Sequence, residues 1–189
     1  MDDTGALSDP ENGGPESGGL MGLRHIDHLG IAVHSIAEAA ALFVGLMGGR
    51  VTNGGDDPVM GIRTVQLTFE GGFRLELLEP TRADSGVGRF LAKRGPGFHH
   101  LTVMVKDIEA AIVELEEAGF DLVDTDIESD PLWRATYVRP RSGFGILLQV
   151  VETPIDWSKR MDHVTLERVV SGELTWVGQV SEITAPREG

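Results

Sequence analysis

Asp27-His28-Leu29-Gly30-Ile31-Ala32-Val33 returns later in the chain as His99-His100-Leu101-Thr102-Val103-Met104-Val105. Laid one on the other, His28 meets His100. Further along, Phe73-Arg74-Leu75-Glu76-Leu77-Leu78-Glu79 returns as Ile146-Leu147-Leu148-Gln149-Val150-Val151-Glu152, so Glu76 meets Gln149. The chain thus holds two copies of one module, each with an imidazole near its start and an oxygen ligand near its end. Four such groups converging on one point would suit a divalent metal.

Around these anchors the periodicity spells out elements. His25 to Val33 alternates as a strand, with Ile26, His28, Gly30 and Ala32 on one face and Leu29, Ile31 and Val33 on the other. Ser35 with Glu38 three residues on forms a capping box for a helix over Ile36–Met47, which Gly48-Gly49 stops. A short stretch near Val51, then Gly61–Glu70 and Gly72–Glu79, read as strands, the last two joined at Gly71-Gly72. The second copy repeats the order. Phe98–Val105 is a strand, Asp107 caps a helix over Ile108–Ala118, and strands follow near Asp121–Thr125, Ala135–Arg139 and Gly145–Glu152. The expected fold class is therefore α+β, with two βαβββ modules in tandem.

The expected organisation is a disordered segment over 1–22, a first module over 23–80, a linker over 81–97 and a second module over 98–152. Ser85 caps a short helix over Val87–Lys93 in the linker. Residues 153–189 have no counterpart in the repeat. Val164–Val170 and Glu173–Val180 suggest a terminal hairpin there.

Composition narrows the function. With 16 basic and 30 acidic residues the formal net charge is −14, which argues against a duplex nucleic-acid surface. No apolar run reaches the roughly 18 residues that span a bilayer, so no membrane partner is expected. There is no cysteine, which removes disulfides and thiolate ligands. A cytoplasmic location and a homodimer are the expectations, with a small molecule as the partner.

A lone histidine in a strand is more often a structural hydrogen bonder than a ligand. Two at equivalent places on paired modules change that balance. Glu76 among Leu75, Leu77 and Leu78, and Gln149 between Leu148 and Val150, are costly to bury unless they are paired or hold a metal. His28, Glu76, His100 and Gln149 are the expected ligands of one ion. Nickel, cobalt, manganese, zinc and iron all suit the set. His99 is expected to point away from His100, because neighbours on a strand alternate faces.

The motifs Ile-Asp-His28-Leu-Gly-Ile-Ala-Val, Leu-Glu76-Leu-Leu-Glu-Pro, Phe-His-His100-Leu-Thr-Val and Arg-Pro-Arg-Ser-Gly-Phe-Gly-Ile-Leu-Leu-Gln149 resemble the vicinal oxygen chelate superfamily. Within it the chain is most similar to the methylmalonyl-CoA epimerase and glyoxalase group. The resemblance implies a cupped mixed sheet around one metal held at positions 28, 76, 100 and 149. It also implies a metal-dependent isomerase, epimerase or lyase that forms an enolate-like intermediate from a carbonyl substrate, an acyl-CoA among the candidates. Those epimerases carry Glu at the place of Gln149, and an amide cannot accept a proton at neutral pH. The expectation is therefore one-base chemistry, with Glu76 as the proton carrier and weak turnover of methylmalonyl-CoA itself.

Trp133 and Arg134, after the turn at Asp130-Pro131, are expected at the cup mouth. Arg134, Arg139 and Arg141 are expected to hold an anionic group of the substrate. Two alternatives stand beside the isomerase reading. An iron-dependent dioxygenase would use two histidines and a carboxylate. A non-catalytic drug-binding protein is disfavoured by the retained ligands and by an aromatic content of only 6%.

Overall fold

The two modules meet through their first strands. In the computed structural model, which describes residues 21–157 and 159–184, β1 (Leu23–Ala32) runs antiparallel to β5 (Gly97–Val105). The last strand of each module lies parallel to its first: β4 (Arg74–Pro80) beside β1, and β8 (Leu148–Glu152) beside β5. The remaining module strands extend outward, β3 (Ile62–Thr68) and β2 (Arg50–Asp57) on one side, β7 (Arg134–Val138) and β6 (Leu122–Asp126) on the other. With the hairpin of β9 (Leu174–Val177) and β10 (Val180–Ile183), the described residues form a ten-stranded sheet in the order β10-β9-β2-β3-β4-β1-β5-β8-β7-β6. It is one curved, unclosed sheet, and its concave face holds the site.

The helix after the first strand of each module covers the other face. Ser35 caps α1 (Ile36–Ala40) by accepting from the Glu38 N–H, and Asp107 caps α3 (Ile108–Glu117) by accepting from the Ala110 N–H. Both modules add a second tie that the sequence reading missed. The first helical N–H of each, Ile36 and Ile108, donates to a glutamate ending the last strand, Glu79 at 2.6 Å and Glu152 at 2.8 Å. A carboxylate at a helix N-terminus satisfies an orphan donor and complements the helix dipole. Behind β1 the odd-numbered face packs as expected: Leu29, Ile31 and Val33 join Ile36, Leu75 and Leu77 in the first core. Val103, Val105, Ile108, Ala111 and Leu115 form the second.

Three expectations need correction. The helix expected to reach Met47 is α-helical only to Ala40, then widens into a π-helical turn over Ala41–Leu46. Val164–Val170 is not a strand. Thr165 caps and left-handed Gly172 ends α4 (Leu166–Ser171), and only the following segment pairs as a hairpin. The short strand expected near Val51 is longer: β2 runs on through Asn53-Gly54-Gly55 to Asp57. The glycines are there for close approach. A Cβ on Gly54 would sit 2.9 Å from a Val169 methyl, and one on Gly55 would sit 3.2 Å from the Leu174 backbone. The C-terminal segment thus closes directly on β2. Val164, Val169 and Leu174 are fully buried on the first core. Each such burial contributes up to roughly 1.5–3 kcal/mol.

Helix α2 (Gly86–Arg94), capped by Ser85, lies across one end of the concave face, where Val87 and Leu91 pack on Ala32, Ile62 and Leu78. Residues 1–20 of the expected disordered segment lie outside the described residues. Of its last two, Met21 packs against the second core, and the Gly22 carbonyl accepts from the Lys106 N–H.

Candidate metal centre

The register of the central strands assembles the site. Gly30 on β1 lies between Glu76 on β4 and His100 on β5, and Thr102 on β5 lies between His28 on β1 and Gln149 on β8. His28 Nε2 is 3.3 Å from His100 Nε2, and Glu76 Oε2 is 3.7 Å from the first and 3.6 Å from the second. Both imidazoles are buried, at 4% and 5% exposure, and their rings meet edge to face at 5.4 Å. His100 can swing in only because Gly30 has no side chain. A Cβ there would stand 2.2 Å from His100 Cε1.

The first module's donors are oriented by a buried charged network. His28 Nδ1 bonds Asp27 Oδ2 at 2.7 Å, Arg74 donates to Asp27 Oδ1 at 2.6 Å and to Gln66 Oε1 at 2.8 Å, and Gln66 bonds Glu76. A carboxylate on the far nitrogen of a ligating histidine fixes its tautomer. Asp27 reaches its neighbour because the β1–β5 ladder is irregular between Ile26 and His28.

The second module has the matching irregularity at His99, between the pairs Gly30–His100 and Ile31–Phe98. Strict alternation sends His99 away from His100. The bulge instead turns it to the cavity, with its Nδ1 3.0 Å from His100 Nδ1 and its ring edge-on to Phe90. Gln149 is also buried beside the group. Its Oε1 accepts from Thr102 Oγ1 at 2.7 Å, and its Nε2 donates to the Tyr137 hydroxyl at 2.8 Å.

Burial opposes charge on His28, but the hydrogen bonds to Asp27 and Glu76 outweigh it and raise its pKa well above the ordinary value. Burial would likewise raise Glu76, yet its hydrogen bond to His28 and the two imidazoles hold it well below the usual range. Burial lowers His100, and the neighbouring charge on His28 adds to this. Charge is therefore favoured on His28 and opposed on His100. Two ring nitrogens facing each other across 3.3 Å beside a half-buried carboxylate, with no Lys or Arg in the cluster, fit a cation bound between them.

The group opens on a cavity of about 710 Å³. Trp133 lines it. Arg134, Arg139 and Arg141 do not. Arg134 pairs with Glu109 and Glu152 on the helix side, and the other two pair with Asp121. The lining cations are instead Arg89, Lys93 and Arg94, all on α2. Sequence reasoning also missed two wall carboxylates, Asp57 and Asp124, the latter at φ +50 in the irregular β6–β7 ladder.

A paired βαβββ fold cupped around a His-Glu-His group defines a class. Residues 27–137 match the profile of the Glyoxalase/Bleomycin resistance protein/Dioxygenase superfamily, and the chain belongs to that superfamily. Among its relatives it is 26% identical to human mitochondrial methylmalonyl-CoA epimerase, over 71% of this chain and 77% of that protein. It is 35% identical to an ethylmalonyl-CoA/methylmalonyl-CoA epimerase of Cereibacter sphaeroides, over 50% of this chain and 70% of that one. The crystal structure of the Mycobacterium tuberculosis methylmalonyl-CoA epimerase superposes with a TM-score of 0.64 at 28% identity, covering 71% of this chain and 91% of the other. A variant of the Streptomyces coelicolor epimerase in complex with 2-nitronate-propionyl-CoA superposes at 0.62, with 30% identity over 70% and 99%.

Proposed function

We propose that this protein is a metal-dependent epimerase or isomerase that moves a proton at the α-carbon of an acyl-CoA thioester. The observation that carries the reading is the convergence of His28, Glu76 and His100 at the base of a cavity, in a chain whose relatives are methylmalonyl-CoA epimerases. These three side chains, with Gln149 beside them, would hold the ion. Once bound, the ion supplies Lewis-acid polarisation of the substrate carbonyl.

The rest of the chemistry belongs to the chain. Glu76 takes the α-proton: the C–H bond breaks, its electron pair moves onto the thioester carbonyl oxygen, and the proton returns from the same carboxylate to the opposite face once the enolate has turned in the cavity, or to a neighbouring atom in an isomerisation. Neighbouring positive charge weakens Glu76's hold on a proton, and a bound ion would weaken it further, so Glu76 would act as the base only while released from the ion. Gln149 cannot accept a proton, and its amide is engaged by Thr102 and Tyr137. The α2 cations face the anionic part of the thioester. The tryptophan-lined wall keeps water from the reacting carbon.

The test is solvent deuterium exchange at the α-carbon of a panel of acyl-CoAs, using metal-loaded protein. Wild type exchanges label in a metal-dependent way. Glu76→Gln keeps the ion and slows exchange by about 10²–10⁴-fold, the usual share of a general base. A panel left unlabelled by metal-loaded wild type would overturn the reading. Exchange that survives in Glu76→Gln would shift the proton to Asp57 or Asp124.

A further inference from the structure

A second cavity, of about 370 Å³, lies where β1 and β4 begin, β5 ends and the chain has left β8. Its wall draws on residues 24–26 and 153–157, which stand on either side of the family match over 27–137. Two of its side chains bury a donor that meets no acceptor among the described residues: Arg74 Nε and Trp157 Nε1. The two residues are only 8% and 5% exposed. Arg74 donates its other nitrogens to Asp27 Oδ1 and Gln66 Oε1 and leaves Nε over. Trp157 packs on Met104, Ala135 and Val151 and lines both cavities.

A buried N–H without an acceptor is costly, and native folds satisfy nearly all of them. Two at one cavity call for an occupant that carries oxygen. Arg24 adds a positive charge: it is exposed, lines the same cavity and pairs with no carboxylate among the described residues. Two carboxylates, Asp27 and Asp156, also stand in the wall. Asp27 is already held by Arg74, His28 and His25. A dianion such as phosphate would face both acids, whereas a single carboxylate has lone pairs enough for the three donors at half the repulsion. Ile26, Met104 and Ile155 line other parts of the cavity and suit a short apolar tail.

We propose that this second cavity is a binding site for a small organic monocarboxylate, whose oxygens accept from Arg74 Nε, Trp157 Nε1 and Arg24 while its tail lies along Ile26, Met104 and Ile155. The site does not rest on the acyl-CoA reading. It shares Arg74 with the network behind His28, so its occupant and the metal cluster draw on one guanidinium.

The test follows the indole N–H resonance of Trp157, assigned through bonds in the isotope-labelled full chain, at constant pH and ionic strength. The titrants are sodium propionate, propionamide and inorganic phosphate. Propionate moves the Trp157 signal saturably, while that of Trp176, whose N–H is held by Thr64 in the larger cavity, stays in place. Propionamide, the neutral isostere, and phosphate each bind at least about tenfold more weakly. Arg24→Gln, at an exposed side chain outside the metal cluster, weakens propionate by about tenfold, the share of one hydrogen bond to a charged group. No saturable movement by about 100 mM propionate would show that water alone serves these donors and would overturn the proposal. Equal binding of propionamide would overturn the reading of charge, and equal binding of phosphate the monocarboxylate class. The wild-type comparison needs no variant, so a substitution that failed to fold would leave it decisive.

Discussion

The two modules place their donors alike and surround them differently. In the first, the shell behind the donors is Asp27, Arg74 and Gln66, a charged and interlocked set buried against the sheet. At the equivalent places in the second stand His99, Leu147 and Tyr137, which carry no fixed charge and all line the cavity. Gly30, which yields its space to His100, is matched by Thr102, which fills the same space and bonds His28 and Gln149. Duplication preserved the positions that define the cluster. Divergence then changed what stands behind them, a charged clamp in the first module and uncharged side chains in the second, while both modules line the cavity.

The sharpest way to break this comparison is to give the first module the second's residue. Arg74→Leu leaves Asp27 buried without its cation and should destabilise the fold by about 3–5 kcal/mol in denaturant unfolding. Leu147→Met, at the matching place, should cost under about 1.5 kcal/mol. Equal losses would show that the shells are not divided as described.

A second pair of variants probes the central strands. Gly30→Ala forces His100 out of position and should weaken metal binding by about 100-fold, the upper range for disturbing a ligand's support. Thr102→Ala removes only a hydrogen bond and should cost less than about tenfold. Calorimetric titration of Co²⁺ or Zn²⁺ checks both, and similar affinities for the two variants would refute the asymmetry.

A third test is with pH. His28 is raised from 6.5 to about 9, so below that point an ion must displace its proton. Metal affinity should rise about tenfold per pH unit toward 9 and then level off. In the metal-free protein the sign is opposite. The stability due to charged His28 is full below its unfolded value and is lost as pH rises through about 9. A flat metal affinity between pH 7 and 9 would place the proton elsewhere.

The module order, the helix caps and the convergence of His28, Glu76 and His100 were legible because they rest on local pattern and internal symmetry. His99 was misplaced because alternation presumes a regular ladder, and a bulge is invisible in a strand's periodicity. Symmetry held the missing signal, since His99 occupies the place of Asp27. Arg134, Arg139 and Arg141 looked free because their partners Glu109, Glu152 and Asp121 are distant in sequence. Two of the three tryptophans on the cavity wall, Trp157 and Trp176, come from residues outside the repeat. An argument from the repeat could not reach them.

The pairing of β1 with β5 also has a consequence in time. It joins histidines 72 residues apart, and the chain must close that loop before the donors meet. The first module alone can present only His28 and Glu76, on adjacent parallel strands, and two donors hold an ion weakly. Long-range pairing of this kind forms late in folding. An ion held at this site would therefore not seed the fold; it would enter after the halves have docked, and its retention would record that they had.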